Sequence, residues 1–160
     1  MCTIKFAKFD PNAILPSKRE EDGCYDLYAC VDGDIMIQPH TVRLIPTGIA
    51  SAFDYGYRIG IRERGSNTKS TLITMAGQID SGYRGQWFVA LYNGNDVPVA
   101  LTDDVDVVTK DTIIKAPKSK AIAQFAIEVV PDVDMEEYTM DELMAIPSSR
   151  GNRCLGSSNK

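Results

Sequence analysis

Short runs in which apolar and polar residues alternate occur along most of the chain, and turn residues separate them roughly every eight to twelve positions. The clearest example is residues 57–61, where Tyr57, Ile59 and Ile61 alternate with Arg58 and Gly60. This period of two is typical of strands that bury one face. The rhythm predicts an all-β sandwich or barrel rather than a parallel α/β sheet. The predicted strands are Thr3–Phe9, Tyr25–Cys30, Asp34–Ile37, Val42–Ala50, Tyr57–Arg62, Gln86–Leu91, Val97–Leu101, Ile113–Ala116 and Ile122–Val130.

One or two short helices interrupt this pattern. Residues 139–142 form a capping-box pattern, apolar residues follow, and Pro147 ends the predicted helix. A second helix is predicted to begin near Ser66, where hydroxyl and amide side chains can cap it. Residues 148–160 contain many Ser, Gly and Asn and few apolar residues. We therefore predict one β domain over 1–147, followed by a flexible C-terminal arm over 148–160.

Composition narrows the classes of function. The chain has 160 residues, of which 44% are hydrophobic and 24% are charged, as in a single globular domain. Its net charge of −5 argues against general binding to nucleic acid, which requires a basic surface. No apolar run reaches the ~20 residues of a membrane span and no signal-peptide pattern is present, so we expect a cytoplasmic protein without nucleic-acid or membrane partners. The single histidine, His40, lies in a turn-like stretch, which argues against Ser–His or Cys–His catalysis.

The stretch from Gly77 to Gly85 carries the strongest functional signal. A strand end leads into a tight loop between glycines, which holds one acid, Asp80, and one ring, Tyr83, and an apolar strand follows. A fixed carboxylate beside an exposed ring, with main-chain groups left available by glycines, suits a small polar aromatic ligand. The structural alternative is that Asp80 bonds the amides of its own loop and that Tyr83 caps the core.

A second candidate segment, residues 62–70, places glycine and hydroxyl side chains between arginine and lysine at a predicted helix start. Available amides, the positive end of a helix dipole and a forked guanidinium all favour phosphate. The alternative is a solvated charged loop.

Three further polar segments differ from their surroundings. Asp26 is a carboxylate among tyrosines at the start of a strand, where it could also be a structural acid that accepts main-chain hydrogen bonds. Gln124 is the lone polar residue of an apolar strand and needs a partner if it is buried, although an edge-strand face would also explain it. Residues 150–158 contain two arginines among glycines and serines, which could close over phosphate when a ligand arrives, or could simply fray.

These five segments, in this order, resemble the five motifs of the trimeric dUTP diphosphatase (dUTPase) family, over about residues 20–158. The segments Gly77–Gly85 and Tyr25–Ala29 are the most specific. The resemblance implies a β-sandwich or jelly roll of the dUTPase β-clip type, assembled as a homotrimer. It also implies hydrolysis of dUTP to dUMP and pyrophosphate, with Mg²⁺ as cofactor.

The resemblance alone implies the residue roles. Asp80 matches the catalytic acid that orients the attacking water, Tyr83 matches the ring that leaves no room for a 2′-hydroxyl, and Asp26 matches the acid that holds Mg²⁺ through water. The other matched residues are expected to contact the substrate, and the arm is expected to complete the active site. They are Arg64, Gly65, Ser66, Asn67, Gly77, Gln78, Ile79, Gln124, Arg150, Leu155 and Ser157.

The chain departs from the family pattern in four places, one of which is motif four, where Lys118-Ser119-Lys120 stands in place of the usual Gly-Asp before the apolar strand. Motif two usually reads Arg-Ser-Gly, whereas residues 64–66 read Arg-Gly-Ser, so Gly65 or Asn67 could supply the phosphate contact expected of the serine. The arm has Leu155 where the family carries a phenylalanine that stacks on uracil, so it offers only an apolar lid. Residues 95–117 form a longer connection than the minimal form of the family, which we interpret as an extra hairpin.

Two other classes of function are compatible with the same scaffold. A dCTP deaminase shares the fold and the trimer but needs a base, typically a glutamate in the strand after the hairpin, and residues 86–93 contain no acid. A non-catalytic, nucleotide-binding regulatory protein would explain the altered motif two and arm, but the acids and Tyr83 are retained. A dUTP diphosphatase is therefore the preferred interpretation.

Overall fold

The structure is a computed structural model that describes residues 3–75, 77–104 and 113–152. Within these ranges the fold is made of short strands and two short helices, and it is a jelly-roll-like β fold. The strands are β1 (Lys5–Lys8), β2 (Tyr25–Leu27), β3 (Ile35–Ile37), β4 (Val42–Pro46), β5 (Ile49–Ala52), β6 (Tyr57–Arg62), β7 (Leu72–Met75), β8 (Gln78–Asp80), β9 (Phe88–Asn93), β10 (Val99–Thr102), β11 (Ile114–Pro117) and β12 (Ala123–Val129). The helices are a 3-10 helix (Gly65–Ser70) and α1 (Met140–Ala145).

The strands form small sheets, and one of these carries the candidate site. That sheet has the order β2-β12-β6-β8 and is antiparallel throughout. The others have the orders β1-β5, β11-β10-β3 and β4-β9-β7. Gln124 on β12 lies opposite both Asp26 on β2 and Arg62 on β6. Asp80 on β8 lies opposite Arg58 on β6, so the strand order gathers residues that are far apart in the sequence.

Alternation along the strands separates the core from the outer face of this sheet. On β6, Ile59 and Ile61 are buried, whereas the polar residues between and beyond them face outward. Beneath the sheet, Phe125 stacks on Tyr25 with ring centroids 5.2 Å apart and meets Trp87 edge-on at 5.5 Å. Burial of a side chain such as Phe125 stabilises the fold by about 2 kcal/mol. One face of the sheet thus packs against the core, and the candidate site residues lie on the other face.

The strands of the structure differ from the predicted ones in two ways. The single strand predicted over Val42–Ala50 is two strands, because Gly48 takes a left-handed φ of 69° that breaks the run between β4 and β5. Strands β7 and β8 are missing from the predicted set. The strands β10 and β11 do not form the extra hairpin predicted within residues 95–117, because they pair in parallel and a hairpin joins antiparallel neighbours; the middle of that segment, residues 105–112, lies outside the described residues.

The capping box of α1 is confirmed, whereas the capping of the 3-10 helix is not. The Thr139 hydroxyl accepts the Glu142 amide at 3.2 Å, and the Glu142 carboxylate accepts the Thr139 hydroxyl and amide, which lower the pKa of Glu142. The other helix begins at Gly65 with Arg64 as its N-cap and no side-chain cap bond, so the predicted capping by residues 66–68 is wrong. No helix within the described ranges is long and apolar enough to cross a membrane, and the cytoplasmic location stays a prediction.

The segment that follows β12 is exposed throughout. Every described residue from 130 to 152 is exposed, α1 included. No described residue of this segment is buried against the β domain, although the segment carries many large apolar side chains. They are Val130, Val133, Met135, Tyr138, Met140, Leu143, Met144 and Ile146.

Candidate active site

Asp26 and Arg64 form the centre of one group of candidate residues. Arg64 Nε lies 3.1 Å from Asp26 Oδ1, and the two side chains are only 26% and 33% exposed. Arg64 Nη1 also donates to the main-chain carbonyl of Ala121 at 2.9 Å. The ion pair is therefore held between β2 and the turn before β12, where solvent screens it less than at an open surface.

Gln124 lies beside these two residues, and we call Asp26, Arg64 and Gln124 together the Asp26 group. Gln124 lies opposite Asp26, and its Nε2 donates to the main-chain carbonyl of Glu63 at 2.9 Å. Because β12 lies between β2 and β6, the alternative of an edge-strand face is wrong. The amide nitrogen of the half-buried Gln124 side chain is therefore hydrogen-bonded, as is usual for polar groups in such positions.

The Asp26 group lines a polar cavity of about 470 Å³. Another wall of this cavity is a loop, residues 17–22, that the sequence analysis did not identify. Two adjacent basic residues followed by three acids in this loop were the available signal. Three cations and two acids line the cavity, so its surplus positive charge favours an anion. These charged residues are Lys18, Arg19, Asp22, Asp26 and Arg64.

The 3-10 helix turns Asn67 toward the core instead of the cavity. Asn67 Nδ2 donates to the main-chain carbonyl of Ile122 at 2.8 Å, and the residue is buried. The Thr68 hydroxyl donates back to the carbonyl of Gly65 at 2.6 Å. The Asn67 side chain is thus committed to the fold, and the exposed predicted residues of this segment are Gly65 and Ser66.

Strand β8 and the turn after it present the second group of candidate residues. Gln78 and Asp80 are exposed, whereas Ile79 between them is buried. The Tyr83 phenol donates to the carbonyl of Gln86 at 2.9 Å, and Tyr83 is 43% exposed, so the alternative that it caps the core is wrong. The Asp80 carboxylate accepts no hydrogen bond from the described residues, so the alternative that it bonds the amides of its own loop is also wrong.

Two glycines of this turn make close contacts. The Ile61 amide donates to the Gly77 carbonyl at 2.5 Å, and a Cβ at Gly77 would overlap the main-chain carbonyl of Ile61. A Cβ at Gly85 would overlap the phenol of Tyr83. The main chain of the hairpin (Gly77–Gly85) can therefore take this path only with glycine at position 77, whereas a side chain at position 85 would displace the Tyr83 ring.

The hairpin and the Asp26 group lie on one outer face of the sheet but near opposite ends of it. From Gln124 to Asp80 the path crosses two strand spacings, and it moves along β6 from Arg62 to Arg58. These steps amount to about 10 Å across the sheet and about 13 Å along it. A group that orients a water must lie within hydrogen-bond reach of that water. At this separation the Asp80 carboxylate is out of hydrogen-bond reach of the Asp26 group in the same copy.

An ion cluster that the sequence analysis did not identify lies between these two groups. Arg58 Nε donates to the Glu128 carboxylate at 2.8 Å, and Arg62 Nη2 contacts the other oxygen of the same carboxylate. The hydrogen bond from Arg58 above all, and that from Arg62, lower the pKa of Glu128 against the opposing effect of desolvation. One acid on β12 thus joins two arginines on β6.

The arm is only partly within the described residues. The Arg150 amide donates to the Ser148 hydroxyl at 3.2 Å. Leu155 and Ser157 lie outside the described residues. The substrate contacts assigned to these arm residues stay predictions.

Asp26 provides the chemistry that a metal would need at this site. No three His, Cys, Asp or Glu side chains among the described residues lie close enough together to hold a metal ion. Mg²⁺ is, however, commonly bound by one or two carboxylates together with substrate phosphates and water. A single carboxylate at the edge of a cationic cavity fits an ion that arrives with a phosphorylated ligand.

Comparison with known sequences identifies the family. The dUTPase family model matches residues 10–104. The deoxyuridine 5′-triphosphate nucleotidohydrolase of Syntrophotalea carbinolica is 31% identical over 142 residues, which cover 84% of this chain and 92% of that protein. The protein of the same name from Leptospira interrogans is 37% identical over 93 residues, which cover 56% of this chain and 64% of that protein.

Solved structures with the same fold agree with this assignment. The dUTPase of Staphylococcus bacteriophage 80alpha with dUPNHPP superposes with a TM-score of 0.72 and 22% identity, and the match covers 98% of each chain. A mutant dUTPase from phage phi11 of S. aureus, which coordinates a structural Mg(II) ion, gives a TM-score of 0.69 and 17% identity over 85% of this chain and 96% of that chain. The predicted jelly-roll-like β fold is confirmed. Because the family model spans residues 10–104 and the Syntrophotalea relative aligns with most of the sequence, the chain belongs to the dUTPase family.

Proposed function

We propose that this protein hydrolyses dUTP to dUMP and pyrophosphate, in an active site that is completed by a second copy of the chain. Membership of the dUTPase family supports the activity. The observation that carries the proposal is the arrangement of the Asp26 group and the hairpin, which share one face of the sheet but lie too far apart in one copy. Each copy therefore contributes the two groups to different active sites.

The Asp26 group of one copy binds the triphosphate. Arg64 donates charge-assisted hydrogen bonds to phosphate oxygens, and Gln124 donates from its amide. The exposed residues Gly65 and Ser66 add a main-chain amide and a hydroxyl. Because the Asn67 side chain bonds the core, only its main chain is available to the substrate.

The hairpin of the neighbouring copy binds the nucleoside. Main-chain groups of Gly77, Gln78 and Ile79 pair with the edge of uracil. The Tyr83 ring packs against the deoxyribose and occupies the space that a 2′-hydroxyl would need. The hydrogen bond from the Tyr83 phenol to the Gln86 carbonyl supports this role, because it fixes the ring over the turn.

Asp80 of the hairpin orients the attacking water. Its carboxylate is exposed and accepts no hydrogen bond from the described residues, so both oxygens are available to the water. The water oxygen forms a bond to phosphorus, the P–O bond to the departing pyrophosphate breaks, and the water proton passes to Asp80. Arg64 of the other copy stabilises the charge that develops on the phosphate oxygens.

Asp26 would hold Mg²⁺ through water when the ion arrives with the substrate. When bound, the ion neutralises phosphate charge and so favours both the attack and the departure of pyrophosphate. The Arg64 guanidinium beside Asp26 keeps the carboxylate at the rim of the cavity, where it faces the ligand.

A homotrimer is the assembly that we assign to this site. The exposed apolar segment 130–152 supports an assembly, because contiguous apolar surface of this kind is normally covered by a partner. Closed cyclic symmetry lets every copy give one hairpin and receive another. The arm over 148–160 then closes over the substrate, with Arg150 and Ser157 toward the phosphates and Leu155 toward the base.

A pyrophosphate-release assay tests the activity. We expect release from dUTP in the presence of Mg²⁺, and little release from dTTP, from UTP or without the metal. Asp80→Asn should bind substrate nearly as the wild type does but lose most turnover, whereas Asp34→Asn, which changes an exposed acid outside the site and outside segment 130–152, should be fully active. No release from dUTP by the wild-type protein would contradict the proposed activity.

Mixing two inactive variants tests the shared site. Arg64→Gln and Asp80→Asn damage different groups, so mixed assemblies contain some sites with both groups intact. After unfolding and refolding together in equal amounts, about a quarter of the sites should be intact by random assortment. A mixture that stays inactive, when each variant refolds into the wild-type assembly, would place both groups in a site within one copy.

A further inference from the structure

One wall of the substrate cavity is a loop that belongs to none of the five family motifs. Residues 17–22 run beside β2, because the Asp26 amide donates to the Ser17 carbonyl at 2.8 Å. Charged side chains of this loop line the same cavity as Asp26. The loop is therefore placed to contact whatever fills the cavity.

Lys18 fixes the shape of this loop. Its Nζ donates to the carbonyls of Arg19, Glu20 and Asp22 at 3.3, 3.0 and 2.8 Å. The ammonium also lies 5.5 Å from the centroid of the Tyr25 ring. All three N–H donors of the ammonium are thus in use within the loop. Lys18 is a positioning residue, and it presents the next residue, Arg19, at the rim of the cavity.

The two arginines of the cavity are held with different strength. Arg64 is partly buried, lies beside Asp26 and donates to a main-chain carbonyl. Arg19 contacts Asp22 through a single Nε–Oδ2 distance of 3.1 Å, and the two side chains are 90% and 44% exposed. Exposed pairs three residues apart contribute little to stability, so Arg19 can leave its partner more easily than Arg64 can.

We propose that Arg19 is a further phosphate-binding residue, which leaves Asp22 and contacts the triphosphate when dUTP enters the cavity. This inference rests on the proposed function. A triphosphate carries several negative charges, so it competes well with one exposed carboxylate for the guanidinium. Asp22 holds Arg19 at the rim until the ligand arrives, and the hydrogen bonds from Arg19 lower the pKa of the Asp22 carboxyl in that state.

This arrangement predicts opposite effects for the two partners. Arg19→Gln removes the phosphate contact and should weaken binding of the triphosphate analogue dUpNHpp by about tenfold. Asp22→Asn removes the competitor and should strengthen that binding by about threefold. Asparagine keeps a side-chain oxygen for the Arg19 amide, which the Asp22 carboxylate accepts at 3.2 Å, so the loop retains its shape.

Calorimetric titration with dUpNHpp and with dUMP tests the proposal. Arg19→Gln should lose affinity for dUpNHpp far more than for dUMP, and Arg19→Lys should recover part of the loss. Asp22→Asn should have no further effect when Arg19→Gln is already present, because its benefit acts through Arg19. Arg43→Gln changes an exposed arginine on β4, in another sheet, and serves as the matched control. In the pyrophosphate assay, Arg19→Gln should raise KM and leave kcat close to that of the wild type.

Equal affinity of the wild type and Arg19→Gln for dUpNHpp would overturn the proposal. The proposal would also be overturned if Asp22→Asn weakened the binding of dUpNHpp as much as Arg19→Gln does. The ion pair would then serve only to maintain the shape of the loop. If the wild-type protein itself does not bind dUpNHpp, the proposed function fails, and the inference fails with it. The affinity of the wild type thus separates a failure of the function from a failure of the inference.

Discussion

The carboxylate of Glu128 lies over Gly60, in the space that a side chain at position 60 would fill. A Cβ on Gly60 would be 2.7 Å from Glu128 Oε1. From this position Glu128 reaches Arg58 on one side of the glycine and Arg62 on the other. Because Arg62 lies opposite Gln124 and Arg58 lies opposite Asp80, the cluster occupies the surface between the two groups of site residues.

This cluster should make the stability of the protein sensitive to acid. The pKa of Glu128 is lowered from its ordinary value of 4.5 in the folded state. Its stabilising effect is therefore complete above the unfolded pKa and is lost as the pH falls through the lower folded pKa. We expect Glu128→Gln to be less stable than the wild type at about pH 7, and to lose less stability between about pH 5 and pH 3. Urea unfolding at several pH values measures this.

The control for this prediction is Asp34→Asn, which changes an exposed acid before β3 and outside segment 130–152. It should follow the wild type at every pH. If Glu128→Gln and the wild type lose stability in parallel on acidification, the cluster does not contribute to the pH dependence.

Three glycines of the site should tolerate alanine to different degrees. At Gly77 the new Cβ meets the main-chain carbonyl of Ile61, so a strand must shift, and we expect a loss of about 2–3 kcal/mol together with weaker dUTP binding. At Gly60 it meets the end of a flexible carboxylate, so the loss should be about 1 kcal/mol. At Gly82 nothing lies within 4 Å, so stability should hardly change. Denaturant unfolding of the three variants gives the order, and a Gly82→Ala as unstable as Gly77→Ala would refute it.

Alanine substitutions of the neighbours Asn67 and Ser66 should have different effects, the first on stability and the second on activity. Asn67→Ala leaves the buried carbonyl of Ile122 without its donor, so we expect a loss of about 1–3 kcal/mol in the free energy of unfolding. Ser66→Ala removes an exposed hydroxyl, so stability should stay constant while KM for dUTP rises. Unfolding curves and steady-state kinetics on both variants check this. An Asn67→Ala variant with unchanged stability would show that the buried bond contributes nothing.

The Tyr83 ring should control the choice between dUTP and UTP. Tyr83→Ala opens space beside the sugar, and we expect the ratio of kcat/KM values for dUTP and UTP to fall by about tenfold or more. Tyr83→Phe keeps the ring and loses only the bond to the Gln86 carbonyl, so the ratio should fall much less. Equal discrimination by the alanine variant and the wild type would assign the rejection of UTP to another residue.

The parts of the fold that follow a local pattern could be predicted from the sequence. Strand β6 has the bounds predicted for it, Tyr57–Arg62, because its buried isoleucines alternate without interruption. The break between β4 and β5 could not be predicted in the same way, because the apolar pattern continues through it. The left-handed backbone conformation of Gly48 separates the two strands.

The same distinction applies to the candidate site. The hairpin could be found because Asp80, Tyr83 and their glycines lie within nine positions of each other. The burial of the Asn67 side chain could not be predicted, because the carbonyl that it bonds belongs to Ile122, 55 residues away in the sequence. The loop at 17–22 looks like a solvated charged run until its contact with β2 is known. These contacts depend on the order of the strands in the sheet. That order is set by packing between distant segments and cannot be read from the local pattern of apolar and polar residues.

All the strands of the described β domain precede the exposed apolar segment 130–152 along the chain. Since translation proceeds from the amino to the carboxyl terminus, β12 leaves the ribosome before that segment does. The strands of the β domain can therefore fold first, and the exposed apolar segment emerges only after all the strands of its own copy. A circular permutant that is translated with this segment first would reverse the order, and should give more aggregated and less assembled protein in the cell.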